Sequence, residues 1–417
     1  MITRVFMPPD GGTLKKTYFW TVLAGMLYAG SSFAMSLGVS NILGAAAAGI
    51  FAIAMSIGNQ LVTIGYYNMR TFQVSDVLEK YSLGDYCASR LISTAAMVIV
   101  GIIWIAAGGY RGAKMAAIVL MIGFKVCESI SDLLEGRYQQ KSRYDVSCRA
   151  VFVKTALYLA GFTAVLLVSR NLLLSIAALG IVYLISVVVI DGTLIRSFGG
   201  LQICFCWEKQ KSLLISCLPL FINSFLTAYV INASKYAIDR YYSDEYLGMF
   251  NALYMMAFVV NLFSGFVLKP LITPLSVKYH DGDFRAFSGI IRRQMIIICG
   301  ITLICVAGAY VLGIPVMSWL SGIDLEGQRA ALCIILAGGA FTAVYQLLQY
   351  GIVIMRHQFT CLFGCAVTAG LTFLFTPVLV RRFAILGGAV SYLCSMALMS
   401  LVFFVIFIYY LMKESRD

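Results

Sequence analysis

The chain is poor in charge and in histidine. Only 12% of its 417 residues are charged, and histidine occurs 2 times. Soluble domains carry about a quarter charged residues and about half apolar ones. A chain with 61% hydrophobic residues and a mean hydropathy of +0.89 does not have that composition. The composition therefore predicts a polytopic membrane protein.

Motifs for several kinds of chemistry are also missing from the sequence. It holds no Gly-Lys dipeptide, which excludes a P-loop, and it holds neither HExxH nor GxSxG. The 12 cysteines are scattered, mostly inside the apolar segments, and the pairs Cys204–Cys206 and Cys361–Cys365 are not read as metal sites with a partner histidine. We predict that the protein is not an enzyme and has no catalytic residue, cofactor or bound metal. A membrane-embedded enzyme of glycan assembly stays open as a remote alternative.

What the sequence does contain is a succession of long apolar segments. A spanning helix needs about 20 predominantly apolar residues. Lipid admits only helices and closed barrels, and the period-two alternation of a barrel is absent. We therefore predict an all-α polytopic membrane protein with about 12 transmembrane helices and no separate soluble domain. These segments begin near Lys16, Gly44, Cys87, Met115, Arg149, Asn171, Leu213, Tyr246, Ile291, Arg329, Cys361 and Gly387.

Lysine and arginine are distributed unequally between the two sides of this topology. If the N-terminus is cytoplasmic, most of the 31 basic residues fall in inner segments. The positive-inside rule then predicts that both termini are cytoplasmic. Basic residues that are spread over short inner loops face an anionic leaflet. The net charge of +12 consequently does not predict a nucleic-acid partner.

The two halves of the chain show sparse internal repetition. Gly49 and Phe51 align with Gly248 and Phe250, each pair opening the second predicted helix of its half. Six helices in each half would give both halves the same orientation, as in transporters whose lobes are related by an axis along the membrane normal. We predict a six-helix N-terminal lobe at 1–200, a six-helix C-terminal lobe at 201–417, and a substrate path between them.

Four stretches of the sequence resemble a known family. They are ILGAAAAGIFAIAMSIGNQL, DRYYSDEYLGMFNALYMM, MRTFQVSDV (69–77) and DLLEGRYQQKSRYD (132–145). The first two are similar to the helix junctions of bacterial polysaccharide flippases, the Wzx-type O-antigen and capsule exporters of the MATE/MOP superfamily. Relatives that flip the peptidoglycan precursor lipid usually carry two further helices. This chain departs from that pattern, which argues against a lipid II flippase.

The resemblance implies a function, a location and partners. It implies a flippase that moves an undecaprenyl-pyrophosphate-linked oligosaccharide from the inner to the outer leaflet of a bacterial cytoplasmic membrane. Transport would proceed by alternating access coupled to an ion gradient. The implied partners are the lipid-linked saccharide, membrane lipids and other polysaccharide-assembly membrane proteins. A multidrug or cation extruder of the same superfamily is the main alternative.

Charged residues inside predicted spans are the first candidates for the site, because a charge at a helix centre is costly in lipid. Lys125 lies near the middle of the fourth span, and Glu128 and Asp132 follow on the same helical face. We predict that Lys125 attracts the anionic head group and that Glu128 or Asp132 binds the coupling ion. The alternative is a structural Lys125–Glu128 ion pair that fastens this helix to its neighbours.

Other candidates follow from the seventh and eighth spans. Lys235 lies near the outer interface, where it can either snorkel to water or line an outward gate with Asp239. Amides in these spans are predicted to bind sugar hydroxyls, although interhelical hydrogen bonds are their more common role. These amides are Asn223, Asn232, Asn251 and Asn261.

Overall fold

The fold is described here from a computed structural model. It describes residues 6–7, 14–76, 79–200, 204–268 and 272–414, with the backbone alone at 14–15, 258–268, 272–274 and 358. Helices are the only regular secondary structure in these ranges. The prediction of an all-α polytopic membrane fold is therefore confirmed.

The helices described before residue 200 include one short helix, and the others are long enough to span a membrane. The last of them continues through a π turn (Val187–Asp191), a short α segment (Gly192–Leu194) and a 3-10 turn (Ile195–Phe198). The helices are α1 (Leu14–Leu43), α2 (Ala45–Tyr66), the short α3 (Met69–Ser75), α4 (Leu83–Gly108), α5 (Gly112–Gln140), α6 (Tyr144–Ser169) and α7 (Leu172–Ser186).

The helices after residue 200 follow the same plan, again with one short helix. The final helical run is broken at Ala384, whose φ of 47° and ψ of −122° are not helical, into limbs α13a (358–383) and α13b (385–414). The helix α11 continues through a π turn (Ala309–Gly313) into Ile314–Ser321. The elements are α8 (Trp207–Tyr241), α9 (Asp244–Leu268), the short α10 (Ile272–His280), α11 (Phe284–Gly308), α12 (Arg329–Ile354) and α13 (Gln358–Glu414).

Most of these helices have the length and composition of membrane spans. Within the described residues, 9 helical runs are long and apolar enough to cross a membrane, and the α13 run with its two limbs is one of them. The helices α5 and α9 have comparable lengths of 29 and 25 residues. With the two limbs counted separately, the long helices match the predicted set of spans.

Packing divides the chain into two compact units. Unit 1 consists of Met1–Leu43 and Ile50–Phe225, and unit 2 consists of Gly44–Gly49 and Leu226–Asp417. The division falls inside α2 and α8, so each of these helices contributes residues to both units. The predicted lobes at 1–200 and 201–417 are defined by the repeat rather than by packing, and they stay a prediction.

The two glycines that the repeat aligns meet each other's helix inside unit 2. A Cβ added at Gly49 would lie 1.8 Å from the carbonyl oxygen of Asp244. A Cβ added at Gly248 would lie 2.0 Å from the carbonyl oxygen of Ala45. Each glycine thus contacts the residue one turn before the other glycine. The first turns of α2 and α9 pack backbone to backbone because neither position carries a side chain.

Candidate functional site

A row of charged side chains follows one face of α5 in unit 1. Lys125, Glu128, Asp132 and Glu135 are spaced by three or four residues, which stacks them along one side of a helix. Each of the three carboxylates forms an ion pair with a basic residue. The face that the sequence singled out is therefore the polar interior of unit 1.

Lys125 and Glu128 form the first pair of this row. The Lys125 ammonium lies 2.6 Å from a Glu128 carboxylate oxygen, and both side chains are buried. The Tyr28 hydroxyl of α1 donates a hydrogen bond to the other Glu128 oxygen. A Cβ at Gly58 of α2 would lie 3.3 Å from the Lys125 side chain, so α2 covers it closely. This geometry corresponds to the structural alternative that the sequence left open for Lys125.

Asp132 lies between two arginines. Arg70 donates to one Asp132 oxygen at 3.0 Å, and Arg90 donates to the other at 3.0 Å. Arg90 is almost fully buried and also donates to the carbonyl oxygen of Gly65 at 2.9 Å. Arg70 reaches Glu135 at 3.1 Å as well. Asp132 therefore ties α3 and α4 to α5, and Arg90 extends this connection to the end of α2.

Lys154 occupies the centre of the next cluster. Its ammonium lies 2.7 Å from Glu135 and 2.8 Å from Asp191, with all three side chains buried. The Ser131 hydroxyl donates to Asp191 at 3.0 Å, and it also contacts the Lys154 ammonium. Asp191 is the last residue of the π turn that extends α7. A π turn adds one residue to a helical turn, which changes the direction of the side chains that follow it. Such turns are frequent at functional sites.

Unit 2 contains a buried lysine in a different environment. Lys235 lies in the last two turns of α8 and exposes only 9% of its surface. Its ammonium lies 4.3 Å from the ring centroid of Tyr254 on α9, a cation–π contact. In the part of the chain that the structure describes, no carboxylate forms an ion pair with Lys235. Asp239 has an interaction partner of its own.

Aromatic and hydroxyl groups continue outward from Tyr254, the ring that Lys235 contacts. The Tyr254 ring meets Tyr392 edge to face at 5.1 Å, and the Tyr392 hydroxyl lies 2.8 Å from the Thr342 hydroxyl. Gly338 makes room for Tyr392, since a Cβ there would lie 2.6 Å from the ring. A tyrosine combines an apolar ring, whose face attracts cations, with a hydroxyl group that forms hydrogen bonds. We define Lys235, Tyr254, Tyr392 and Thr342 as the lysine site.

The predicted amides are distributed around the two units. Asn251 is buried and lies on the same face of α9 as Tyr254, three residues earlier. Asn232 shares a face of α8 with Lys235, and its amide donates to the Ala228 carbonyl at 3.0 Å. Asn223 belongs to unit 1, and its side-chain oxygen is buried without a hydrogen-bond donor among the described residues. The Asn261 side chain lies outside the described residues.

Comparisons with solved structures identify the fold. A multidrug resistance MATE family transporter of the MOP superfamily, solved facing inward, has a TM-score of 0.70 and 12% identity over 96% of this chain and 99% of its own. The lipid II flippase MurJ, in an inward closed conformation, has a TM-score of 0.70 and 13% identity over 96% of this chain and 89% of its own.

A third neighbour is a MOP superfamily transporter from Pyrococcus furiosus, with a TM-score of 0.58 and 11% identity over 100% of this chain and 99% of its own. That structure is described as having a binding pocket of reverse polarity that suggests a different function. No family model matches the chain, and no curated protein matches it in sequence. These neighbours are transporters and a flippase rather than enzymes. The chain is a multi-pass membrane protein with the fold of MOP superfamily transporters.

Proposed function

We propose that the protein is a flippase that moves an anionic, lipid-linked oligosaccharide from the inner to the outer leaflet. The observation that carries this proposal is the charge balance of the buried residues. The buried basic side chains of the described residues are Arg90, Lys125, Arg137, Lys154 and Lys235. All of them except Lys235 form an ion pair with a carboxylate.

An uncompensated buried lysine favours an anionic ligand. Taking an ammonium group out of water is costly unless an opposite charge and hydrogen-bond acceptors replace the water. The pyrophosphate of a polyprenyl-linked sugar would supply both. The Tyr254 and Tyr392 rings and the amides of Asn232 and Asn251 would then face the saccharide. These groups all belong to unit 2, so one unit holds the features that this head group requires.

The same balance argues against the alternative of a cation extruder. A buried carboxylate that lacks a basic partner would favour the binding of cationic compounds. Each buried carboxylate of the described residues has such a partner. The reverse pocket polarity ascribed to the Pyrococcus furiosus transporter supports the idea that pocket charge separates functions within this fold. The buried carboxylates are Asp85, Glu128, Glu135, Asp145 and Asp191.

Coupling to an ion gradient is part of the proposal. Glu128 and Asp132 are the coupling candidates of unit 1, because a proton on either would weaken the ion pair that it forms with Lys125 or with Arg70 and Arg90. Asp239 is the candidate near the lysine site. We further propose a bacterial cytoplasmic membrane as the location, cytoplasmic termini, and polysaccharide-assembly membrane proteins as partners.

The test compares two lysines of the same helix. Lys211 lies near the start of α8 and is exposed, so Lys211→Met is a matched control for Lys235→Met. In a host depleted of the native protein, we expect the Lys211→Met variant to restore outer-leaflet lipid-linked oligosaccharide. The Lys235→Met variant should leave the completed unit on the inner leaflet at equal protein abundance, and Lys235→Arg should restore part of the transport.

Two results would contradict the proposal. One is a normal distribution of lipid-linked oligosaccharide between the leaflets after depletion, in a host that has no redundant flippase. The other is normal transport by Lys235→Met, which would remove the lysine site from the mechanism. A gain of sensitivity to cationic drugs on depletion would favour the extruder instead.

A further inference from the structure

A groove runs along the outside of unit 2, away from the lysine site. It has a volume of about 630 Å³ and lies between the start of α11 and the end of α13b. Ligand pockets commonly measure about 300–1,000 Å³. Its walls are Arg285, Gly289, Arg292 and Ile296 on one side and Phe404 and Ile408 on the other, together with further apolar residues. The groove is large enough for part of a lipid.

The floor of the groove is closed and apolar. Gly351 of α12 lies beneath it, where a Cβ would be 3.0 Å from the Phe407 ring and 3.2 Å from Ile291. Phe287 and Phe407 are buried and pack with ring centroids 6.0 Å apart. On the open side, Ile296 exposes 65% of its surface and Phe404 exposes 40%. In a membrane-spanning chain, a groove of this kind is solvated by acyl chains.

Two arginines distinguish this groove from an ordinary lipid-facing surface. Arg285 and Arg292 are both exposed and lie seven residues apart, on one face of α11 and roughly 10 Å apart along its axis. Neither forms an ion pair with a carboxylate in the described ranges. By the distribution of basic residues, this end of α11 is predicted to face the inner leaflet. The two arginines therefore place positive charge, without an ion pair in the described ranges, beside the apolar groove.

We propose that the groove binds one anionic phospholipid of the inner leaflet, with its phosphate held by Arg285 and Arg292. Guanidinium groups bind phosphate oxygens through paired, charge-assisted hydrogen bonds. Basic pockets between membrane helices on the cytoplasmic side bind anionic head groups. An acyl chain would lie along Ile296 and Phe404. The ligand is a resident lipid, so this site is independent of the transported substrate and of the proposed function.

The arginines are tested by titrating purified full-length protein with phosphatidylglycerol or phosphatidylcholine and measuring the first binding constant by native mass spectrometry. Arg196 and Arg293 are exposed arginines that do not line the groove, so Arg196→Gln/Arg293→Gln loses the same charge. Relative to the native chain, Arg285→Gln/Arg292→Gln should bind phosphatidylglycerol roughly fivefold more weakly for each arginine lost. The control should bind it like the native chain.

The apolar half of the groove is tested by filling it. Gly289 lines the groove, Gly300 on the same helix does not, and an added Cβ would meet nothing within 4 Å at either position. We expect Gly289→Leu to weaken the first phosphatidylglycerol bound, while Gly300→Leu leaves it unchanged.

Three results would overturn the proposal. These are equal affinity for the two lipids in the native chain, equal losses in the two arginine double variants, or equal behaviour of the two leucine variants. Because the readout is lipid binding by purified protein, failure here would not bear on transport, and failure of transport would not bear on this site.

Discussion

The two units stabilise their interiors in different ways. Unit 1 contains buried ion pairs, such as Lys154 with Asp191 at 2.8 Å and Lys125 with Glu128 at 2.6 Å. In unit 2 the described ion pairs, Lys278–Asp283 and His357–Glu414, are partly exposed. Its buried polar contacts join neutral hydroxyl groups, as between Thr342 and Tyr392, Thr372 and Ser395, and Thr376 and Ser391.

This difference distinguishes the ion-paired side chains of unit 1, which stabilise the fold, from Lys235, whose charge is available to a ligand. A buried ion pair is strongly coupled, because removing one partner leaves the other charge uncompensated in a low dielectric. Hydroxyl hydrogen bonds between membrane helices are worth only about 0.6 kcal/mol each. Among these neutral contacts of unit 2, Lys235 is a buried charge that forms no ion pair with the described residues. The paired charges of unit 1 are therefore expected to contribute more to stability than Lys235 does.

The largest expected effect comes from removing a lysine of unit 1. Lys154→Met leaves Glu135 and Asp191 buried without their shared cation, which should cost about 3–5 kcal/mol. Lys235→Met removes a buried charge that has no acidic partner among the described residues, so its stability should be equal to or higher than that of the native chain. Thermal unfolding of both variants in the same detergent measures the difference. Equal destabilisation of the two would contradict the comparison between the units.

The backbone contact of Gly49 and Gly248 with each other's helix, which we call the glycine crossing, should give the next largest effect. In Gly49→Ala or Gly248→Ala, the new methyl group would overlap a backbone carbonyl, so the first turns of α2 and α9 must separate. The expected cost is about 1–3 kcal/mol, as for other overpacked contacts. Gly25→Ala in α1 is the control, because a Cβ there meets nothing within 4 Å. If both crossing variants unfold at the native temperature, the backbone contact contributes little.

A double-mutant cycle on Lys125 and Glu128 tests whether this ion pair of unit 1 serves stability, transport or both. Lys125→Met should destabilise more than Lys125→Met/Glu128→Gln, because the double variant removes both charges and keeps an acceptor for the Tyr28 hydroxyl. The coupling energy should fall between about 0.5 and 3 kcal/mol. Transport by the double variant decides the role of the pair. If stability returns but transport is lost, Lys125 acts on the substrate or on coupling.

The sequence predicted what depends on local spacing. Composition and apolar segment length gave the helical membrane fold, and the spacing of Lys125, Glu128 and Asp132 gave their shared face. The alignment of Gly49 with Gly248 identified two positions that prove to contact each other's helix reciprocally. In each case the information lies within one helix or in a direct comparison of two short stretches.

The sequence did not identify the partners of the charges, because these lie on other helices. Arg70, Arg90 and Lys154 lie near the predicted inner ends of their spans, where basic residues are expected on topological grounds alone. Asp191 gave a usable signal, since it ends the apolar run VVVID of a spanning helix. Sequence alone allowed Lys235 to snorkel to water. Packing against Tyr254 is what buries it, and spacing along α8 does not contain that information.

The smallest expected effect concerns an exposed ion pair of unit 1. Glu79, in the segment between α3 and α4, contacts Lys141 and lies 3.1 Å from Arg137. The hydrogen bond from Lys141 and the charge of Arg137 hold the pKa of Glu79 below its usual value. The side chain is 37% exposed, so solvent screens the pair and its contribution is about 0.2–1 kcal/mol.

The sign of the pH dependence follows from the lowered pKa of Glu79. The carboxylate is favoured in the folded state, so its contribution is complete above the unfolded pKa of about 4.3 and is lost as the pH falls through the folded pKa. Glu79→Gln should therefore lower the unfolding midpoint slightly near neutral pH and leave it equal to the native value at strongly acidic pH. High salt should remove the difference at neutral pH. A difference that persists in acid or in salt would mean that Glu79 acts through packing, and its pair would then resemble the buried pairs of unit 1.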